Sequence, residues 1–226
     1  NLVKGNLSEN FDYVVNLGGY IDHQIFRNGG QNLIKTHFTG LVNIIEVLPR
    51  SRLKRFVQIG SSDEYGNVKA PQNEENREGP ISPYSLSKVA STHLLQMLYR
   101  TENFPAVILR LFLTYGPGQD TNRFLPQIIR GCLDDTKFHT SAGEQLRDFC
   151  YVDDTFRAIL LALSVPEAKG EVFNIASGKP VPIREMIEKI CSLTKSGNPQ
   201  FGRIPYRAGE NMALYAKIEK AKRILK

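Results

Sequence analysis

The chain of 226 residues has three cysteines, Cys132, Cys150 and Cys191, widely spaced and without a CxxC pair. An odd number so placed excludes a disulfide framework and offers no structural zinc site. No metal is therefore expected, and a reducing, cytoplasmic compartment suits the pattern. No run approaches the 18 or more apolar residues that a membrane-spanning helix needs. The longest, around residues 158–165, is interrupted and helical in pattern. The first residues lack the basic-then-apolar order of a secretory leader. Zinc-finger, RNP and helix-turn-helix patterns are missing, so nothing accompanies the positive charge that would mark a nucleic-acid binder. No GxGxxG or GxxGxxG occurs, so the glycine-rich turn that opens a nucleotide-binding fold is not in this sequence.

What is present is the composition of a globular protein, 41% hydrophobic and 23% charged. The length permits one or two domains. The net charge is +6, with basic residues gathered at 50–55 and 217–226 and interleaved with apolar positions. These read as solvated faces, and the partner they suit is an anionic small molecule rather than nucleic acid or membrane.

Along the chain, strand-like and helix-like patterns alternate, which predicts an α/β fold with a parallel sheet covered by helices. Residues 11–17 (FDYVVNL) read as a doubly buried strand ending in Gly18-Gly19. A helical stripe of Leu33, Ile34, Phe38, Leu41, Ile44, Ile45 and Leu48 marks a helix over 31–48, closed by Pro49. A strand at 55–59 ends at Gly60, and the Gly-, Pro-, Asn- and Glu-rich residues 66–83 read as a loop. Ser82 and Pro83 supply an N-cap and first-turn proline for a helix running to about Thr101. A strand at 106–112, a helix at 125–133, a strand at 147–151, a helix at 154–163, a strand at 171–175 and helices at 183–193 and 215–225 complete the expectation. At about 30 residues per βαβ unit, two units of sheet are expected before Asn1, and the chain is expected to stop inside a helix, as a fragment would.

Tyr84 and Lys88 stand four apart on the predicted helix, so both side chains share one face. A phenol near pKa 10 is a poor base at neutral pH, and a nearby cation lowers an acid's pKa by about 1–3 units. Lys88 is accordingly expected to let Tyr84 act as tyrosinate, moving the proton of a sugar hydroxyl while hydride moves at the same carbon. Ser61 and Ser62 lie just past a strand, where parallel sheets place ligands, and a hydroxyl there reaches the same substrate oxygen. Asp63 and Glu64 follow, and one carboxylate has the option of pointing into the cleft.

These residues belong to a larger pattern: VVNLGG (14–19), GSSDEYG (60–66), PYSLSK (83–88), LRLFLTYGPGQ (109–119), RDFCYVDD (147–154), VFNIASG (172–178) and RAGE (207–210). In this order, over residues 3–221, the sequence resembles the extended short-chain dehydrogenase/reductase family of nucleotide-sugar epimerases and dehydratases. The resemblance implies a Rossmann-like doubly wound parallel sheet, lacking its N-terminal strands here. Residues 1–115 and 150–176 would form the NAD(P)-binding domain, and 116–149 and 177–226 a smaller substrate domain. It implies Ser61, Tyr84 and Lys88 as catalytic residues, with Ser62 and Asp63 beside them. NAD or NADP would be held by Asn6, Leu17, Gly18, Gly19, Gly60, Tyr84 and Lys88. Asn6 stands where the family usually has an adenine-contacting Asp. Arg147 and Arg207 match positions that contact the diphosphate or nucleotide of a nucleotide-diphosphate sugar. Leu113 replaces the family's Asn in the strand-end motif, removing one substrate hydrogen bond, and His37 replaces a common helix Asn and reads as structural. A homodimer through the helices at 31–48 and 84–101 is implied by analogy alone.

The family runs several reactions on this constellation, all through oxidation-reduction at sugar C4. A 4,6-dehydratase has Thr-Asp-Glu or Thr-Ser-Glu where this sequence has Ser61, Ser62 and Asp63. Ser62 is no acid at pH 7, and Asp63 reaches one methylene less far than Glu. An epimerase or 4-keto-sugar reductase is therefore favoured, a dehydratase is the alternative, and a catalytically silent NAD(P)-binding relative is the reading from another class.

Overall fold

Parallel strands buried on both faces read as nearly continuous apolar, β-branched runs, and three such runs form the centre of the molecule. In the computed structural model, which describes residues 9–22, 24–207 and 209–226, β1 (Tyr13–Asn16), β2 (Arg55–Ser61), β3 (Ala106–Leu111) and β7 (Val172–Ile175) form a parallel sheet in the order β1-β2-β3-β7. Its register sets Val57 beside Val107 and Leu109 beside Phe173. Successive residues point to opposite faces. Phe56 and Ile108 pack with Leu41, Ile45, Leu95 and Leu98 on one side, while Val57, Val107 and Leu109 pack with Ala158, Ala162 and Leu225 on the other. Burying each large side chain contributes about 1.5–3 kcal/mol, so this two-sided core is the main anchor of everything at the strand ends.

The first crossover is α1 (Gln31–Ile34) and α2 (Gly40–Val47), joined by a wide i→i+5 turn at Lys35–Thr39 that carries His37 into the interior. The second is α3 (Pro83–Glu102), with Ser82 as N-cap accepting the Ser85 N–H at 3.1 Å, Pro83 in the first turn, and Asn103 in left-handed conformation at the C-terminus. Between β3 and β7 the chain makes β4 (Leu113–Tyr115), α4 (Phe124–Leu133), β5 (Lys137–His139), β6 (Leu146–Tyr151) and α5 (Val152–Ser164). After β7 come β8 (Pro180–Pro182), α6 (Ile183–Thr194), β9 (Asn198–Gln200), β10 (Ala213–Leu214) and α7 (Glu219–Ile224). A second small sheet has the order β10-β6-β4 with β8 antiparallel on β6, and β5 pairs with β9. Helices α4 and α6 pack over it through Leu125, Ile128, Phe149, Ile187 and Ile190.

The expected helix over 215–225 is corrected: only Glu219–Ile224 is helical. Residues 213–217 are extended because Gln72 captures their backbone groups. Its Oε1 accepts the Tyr215 N–H, its Nε2 donates to Ala213 O, and its own carbonyl accepts the Lys217 N–H. The loop at 66–83 is thereby pinned from inside. Gln72→Ala is expected to destabilise the protein by about 1–3 kcal/mol, the cost of buried polar groups left unsatisfied, read as a lowered denaturation midpoint in urea. Among the described residues no helix is long and apolar enough to cross a membrane.

Candidate active site

Strand β2 delivers Ser61 to its carboxyl end, and there the sequence Ser-x-x-Glu folds as a capping box. The Ser61 Oγ accepts the Asp63 N–H at 3.1 Å, and the Ser61 N–H donates to Glu64 Oε1 at 3.0 Å, opening one 3₁₀ turn at Ser62–Tyr65. Gly60 leaves room for this: a Cβ there would lie 2.6 Å from Glu64 Oε1. Its missing side chain thus has a structural occupant within the chain.

Helix α3 starts directly opposite, and its first turns point Tyr84 and Lys88 at the end of β2, as the four-residue spacing predicts. Tyr84 is 3% exposed and Lys88 6%. The Ser61 side chain is a hydrogen-bonding neighbour that lowers the Tyr84 pKa against the effect of burial. Lys88 Nζ donates to Ile59 O at 3.0 Å and lies 5.8 Å from the centroid of the Tyr84 ring. The three residues picked from the sequence therefore converge. Ser62 is buried, and Asp63 is half-buried with its charge acting on both Tyr84 and Arg147.

At the end of β1, Leu17 is 69% exposed, the Gly18 N–H donates to Asn16 Oδ1, and Gly19 has φ +132°, a conformation that favours glycine. A Cβ on Gly19 would also meet the His37 ring at 2.4 Å. His37 is a site neighbour that sequence reasoning assigned to structure alone. Its ring stands edge-on to Tyr84, centroids 5.1 Å apart and 85° between planes, and its Nε2 is 2.8 Å from Tyr20 O. A carbonyl only accepts, so Nε2 carries the hydrogen and Nδ1 is left as an acceptor, buried and without a partner among the described residues. Burial, and then the Lys88 charge, lower its pKa, so the ring is neutral at pH 7. The signal was available: position 37 falls three after Ile34 and four before Leu41, on the inner face of the stripe. Asn6 lies outside the described residues.

Arg147, on β6, is largely buried and paired with Glu210. Arg207 is exposed, and its carbonyl accepts the Glu210 N–H at 3.0 Å. The structure thus brings Arg147 and the 207–210 segment together through Glu210, the acid of the RAGE motif. Leu113, at the start of β4, packs into the apolar cluster with Phe149.

A family model described as NAD dependent epimerase/dehydratase family matches residues 2–176. The chain belongs to this family. It is 26% identical over 205 residues to the dTDP-D-glucose 4,6-dehydratase of Dictyostelium discoideum, an alignment covering 82% of this chain and 46% of that protein. Against the dTDP-glucose 4,6-dehydratase of Streptomyces niveus it is 28% identical over 194 residues, covering 85% and 57%. The chain therefore spans about half the length of these curated relatives. The solved structure of UDP-glucuronic acid 4-epimerase from Bacillus cereus, in complex with UDP-glucuronic acid and NAD, superposes with a TM-score of 0.86 at 27% identity, covering 95% of this chain and 69% of that one. The parallel sheet is of Rossmann type.

One expectation for this member of the epimerase/dehydratase family is corrected. The Tyr84 phenol is raised here and not lowered. Burial pushes it up to about 12, and the Asp63 and Glu64 charges also disfavour tyrosinate, opposed by the Ser61 hydrogen bond and Arg123. The Lys88 ammonium is bonded to Ile59 O and lies 5.8 Å from the centroid of the Tyr84 ring. Lys88 itself is lowered by burial, with the Glu64 charge resisting. The phenol is a neutral acid at pH 7. Among the described residues no group of three or more His, Cys, Asp or Glu is placed to hold a metal ion.

Proposed function

We propose that the protein carrying this chain is an NAD(P)-dependent nucleotide-sugar enzyme that works by oxidation-reduction at sugar C4, an epimerase or a 4-keto-sugar reductase. The observation that carries this reading is the convergence of the buried Tyr84 phenol, from the first turn of α3, on the Ser61 side chain at the end of β2, with Lys88 alongside. Two hydroxyls converging on one point from different elements suit a single substrate oxygen. Ser61 would hold that oxygen, and Tyr84 would donate its proton as the carbonyl is reduced and take it back on oxidation.

The residues present fit a nicotinamide cofactor. Lys88 directs one of its three N–H donors to Ile59 O, leaving two for ribose hydroxyls. Leu17, Gly18 and Gly19 form an exposed strand-end turn where backbone can approach a ligand, and the unpartnered Nδ1 of His37 faces Gly19. Tyr84 and Gly60 would border the same site, and Asn6 would contact adenine. Hydride acceptance and return at C4 are what this cofactor supplies when bound. Arg147 and Arg207 would face the diphosphate, with Glu210 holding Arg147 ready until an anion competes for it. Residues 1–115 and 150–176 would form the cofactor part, and 116–149 and 177–226 the substrate part, in a cytoplasmic homodimer joined through α1, α2 and α3.

The 4,6-dehydratase remains the second reading because the Asp63 carboxylate is near enough for its charge to act on the Tyr84 phenol. Ser62, buried and not an acid, is the reason elimination is not favoured. The test is incubation with NAD or NADP and a panel of uridine, thymidine and guanosine diphosphate sugars, with product analysis. An epimerase returns a C4-inverted sugar, a reductase consumes reduced cofactor with a 4-keto sugar, and a dehydratase gives a 6-deoxy-4-keto product. Cofactor binding without turnover across the panel would leave the silent NAD(P)-binding relative as the better reading.

A further inference from the structure

Beneath the Ser61 turn lies a buried charged cluster that the proposed chemistry does not use. Glu64 is fully buried, and every hydrogen bond it makes has a named donor. Its Oε1 accepts the Ser61 N–H at 3.0 Å, and its Oε2 accepts Thr92 Oγ1–H at 2.8 Å and Arg110 Nε–H at 2.8 Å. Arg110 is buried too. Its Nη2 donates to Glu78 at 2.5 Å and its guanidinium lies over the Tyr65 ring at 4.7 Å, while its Nη1 is unpartnered among the described residues. Glu78 continues to His93 at the surface, 3.3 Å away. Burying such a cluster is costly, and apolar residues of similar volume often serve stability as well or better. Stability alone therefore does not account for it.

What the cluster does on the page is hold Ser61. The Glu64 carboxylate grips the Ser61 backbone from below, in the space left by Gly60, while the Asp63 N–H grips Oγ from the side. One lone pair of Oγ is engaged and the backbone is fixed at φ −148°, ψ 146°, so the serine beside Tyr84 has a single position. We propose that Glu64 is a positioning residue that acts through Ser61, with Arg110 and Thr92 fixing the carboxylate in turn. The structural part of this inference is independent of the proposed reaction, and only its kinetic consequence rests on that reading.

Two measurements on Glu64→Gln test it. An amide in place of the carboxylate puts an NH₂ group against one of three donors. Hydrogen exchange at residues 61–63 is expected to quicken about tenfold or more, as a lost charge-assisted bond implies, while residues 56–59 keep their protection. Unchanged exchange at 61–63, or a rise spread evenly along β2, overturns the proposal. In turnover, kcat is expected to fall about 10–100-fold, the scale of a small misplacement at a reacting centre, with KM nearly constant. In a Ser61→Ala background the same substitution should cost less than about twofold, since its target is gone. A loss that multiplies fully with Ser61→Ala marks a merely structural residue and overturns the positioning role. If Glu64→Gln does not accumulate, Thr92→Val removes one donor from Oε2 and is held to both criteria, with faster exchange confined to 61–63 and a kcat loss that disappears in Ser61→Ala. A wild-type protein silent on every nucleotide sugar would refute the proposed reaction, and the exchange measurement would still decide for or against Glu64.

Discussion

Replacing Tyr84 with phenylalanine is expected to lower kcat about 10²–10⁴-fold, the usual contribution of a positioned acid or base, while cofactor affinity stays within a few-fold. Only the phenol oxygen is removed. The ring keeps its edge contact with His37, and Lys88 keeps its bond to Ile59 O. Product analysis with the substrate identified in the panel measures the loss directly, and a variant retaining most of its activity would remove Tyr84 from the chemistry. Because the phenol is pushed up to about 12 by burial, the same variant makes a second prediction that needs no substrate. A phenol whose folded pKa lies above its unfolded value of about 10 binds its proton more tightly in the native state. It stabilises the fold fully below about pH 10, and that contribution is lost as pH rises toward 12. Tyr84→Phe should therefore flatten the fall of stability between pH 10 and 12, measured by denaturant melts at fixed pH. An unaltered alkaline profile would mean that the phenol is not held neutral by burial.

The direction of that shift bears on mechanism. A neutral phenol is ready to protonate a carbonyl oxygen, so on the proposed reading the resting site would be set for reduction of a 4-keto sugar. Oxidation requires the phenol to ionise against Asp63 and Glu64. Its rate is accordingly expected to climb with pH through the neutral range, while reduction stays level or declines. A rise with pH confined to the oxidative direction, measured on the same preparation, would bear this out, and parallel slopes would assign the titration to another group.

Much of the scaffold was legible because its signals are local. The alternating faces of Phe56 and Val57, the Ser82-Pro83 start of α3 and the four-residue step from Tyr84 to Lys88 each depend on a few adjacent residues, and each appears where the pattern puts it. Less legible were features decided by partners far along the chain. Residues 213–217 are extended because Gln72 binds them from about 140 residues away, which no helical stripe discloses. The sign of the Tyr84 shift follows the same logic. Spacing brings an ammonium near, but only the folded environment adds near-complete burial, two carboxylates and a carbonyl that draws Lys88 aside. His37 and Glu64 fall between these cases. The inward stripe position of one and the Ser-x-x-Glu spacing of the other were readable, yet their proximity to Tyr84 and Ser61 depends on the wide helical turn and on Arg110 beneath.

Asp148→Ala is expected to be the most destabilising single change in the second sheet. Its carboxylate is fully buried and accepts four hydrogen bonds: from Ser177 N–H at 2.7 Å, Ser177 Oγ–H at 2.6 Å, Gly178 N–H at 3.0 Å and Ala216 N–H at 3.3 Å. One side chain on β6 thereby ties the turn after β7 to the extended segment that follows β10, joining the two sheets at the place where Arg147 is presented. Alanine would leave three backbone N–H groups and a hydroxyl without these acceptors, the Ala216 N–H buried and the Gly178 N–H half-buried, while Ser177 is exposed. Orphaned donors cost about 1–3 kcal/mol each before relaxation, so a net loss of about 3–5 kcal/mol is expected, at the upper end for a point substitution. For a chain of this size that is a fall in Tm of roughly 10 °C. Asp148→Asn tests the cause rather than the size. It preserves volume but turns one acceptor into a donor facing donors, so it should recover only a minor part of the loss. Near-complete recovery by asparagine would show that shape, not the carboxylate's four acceptor contacts, holds this junction together.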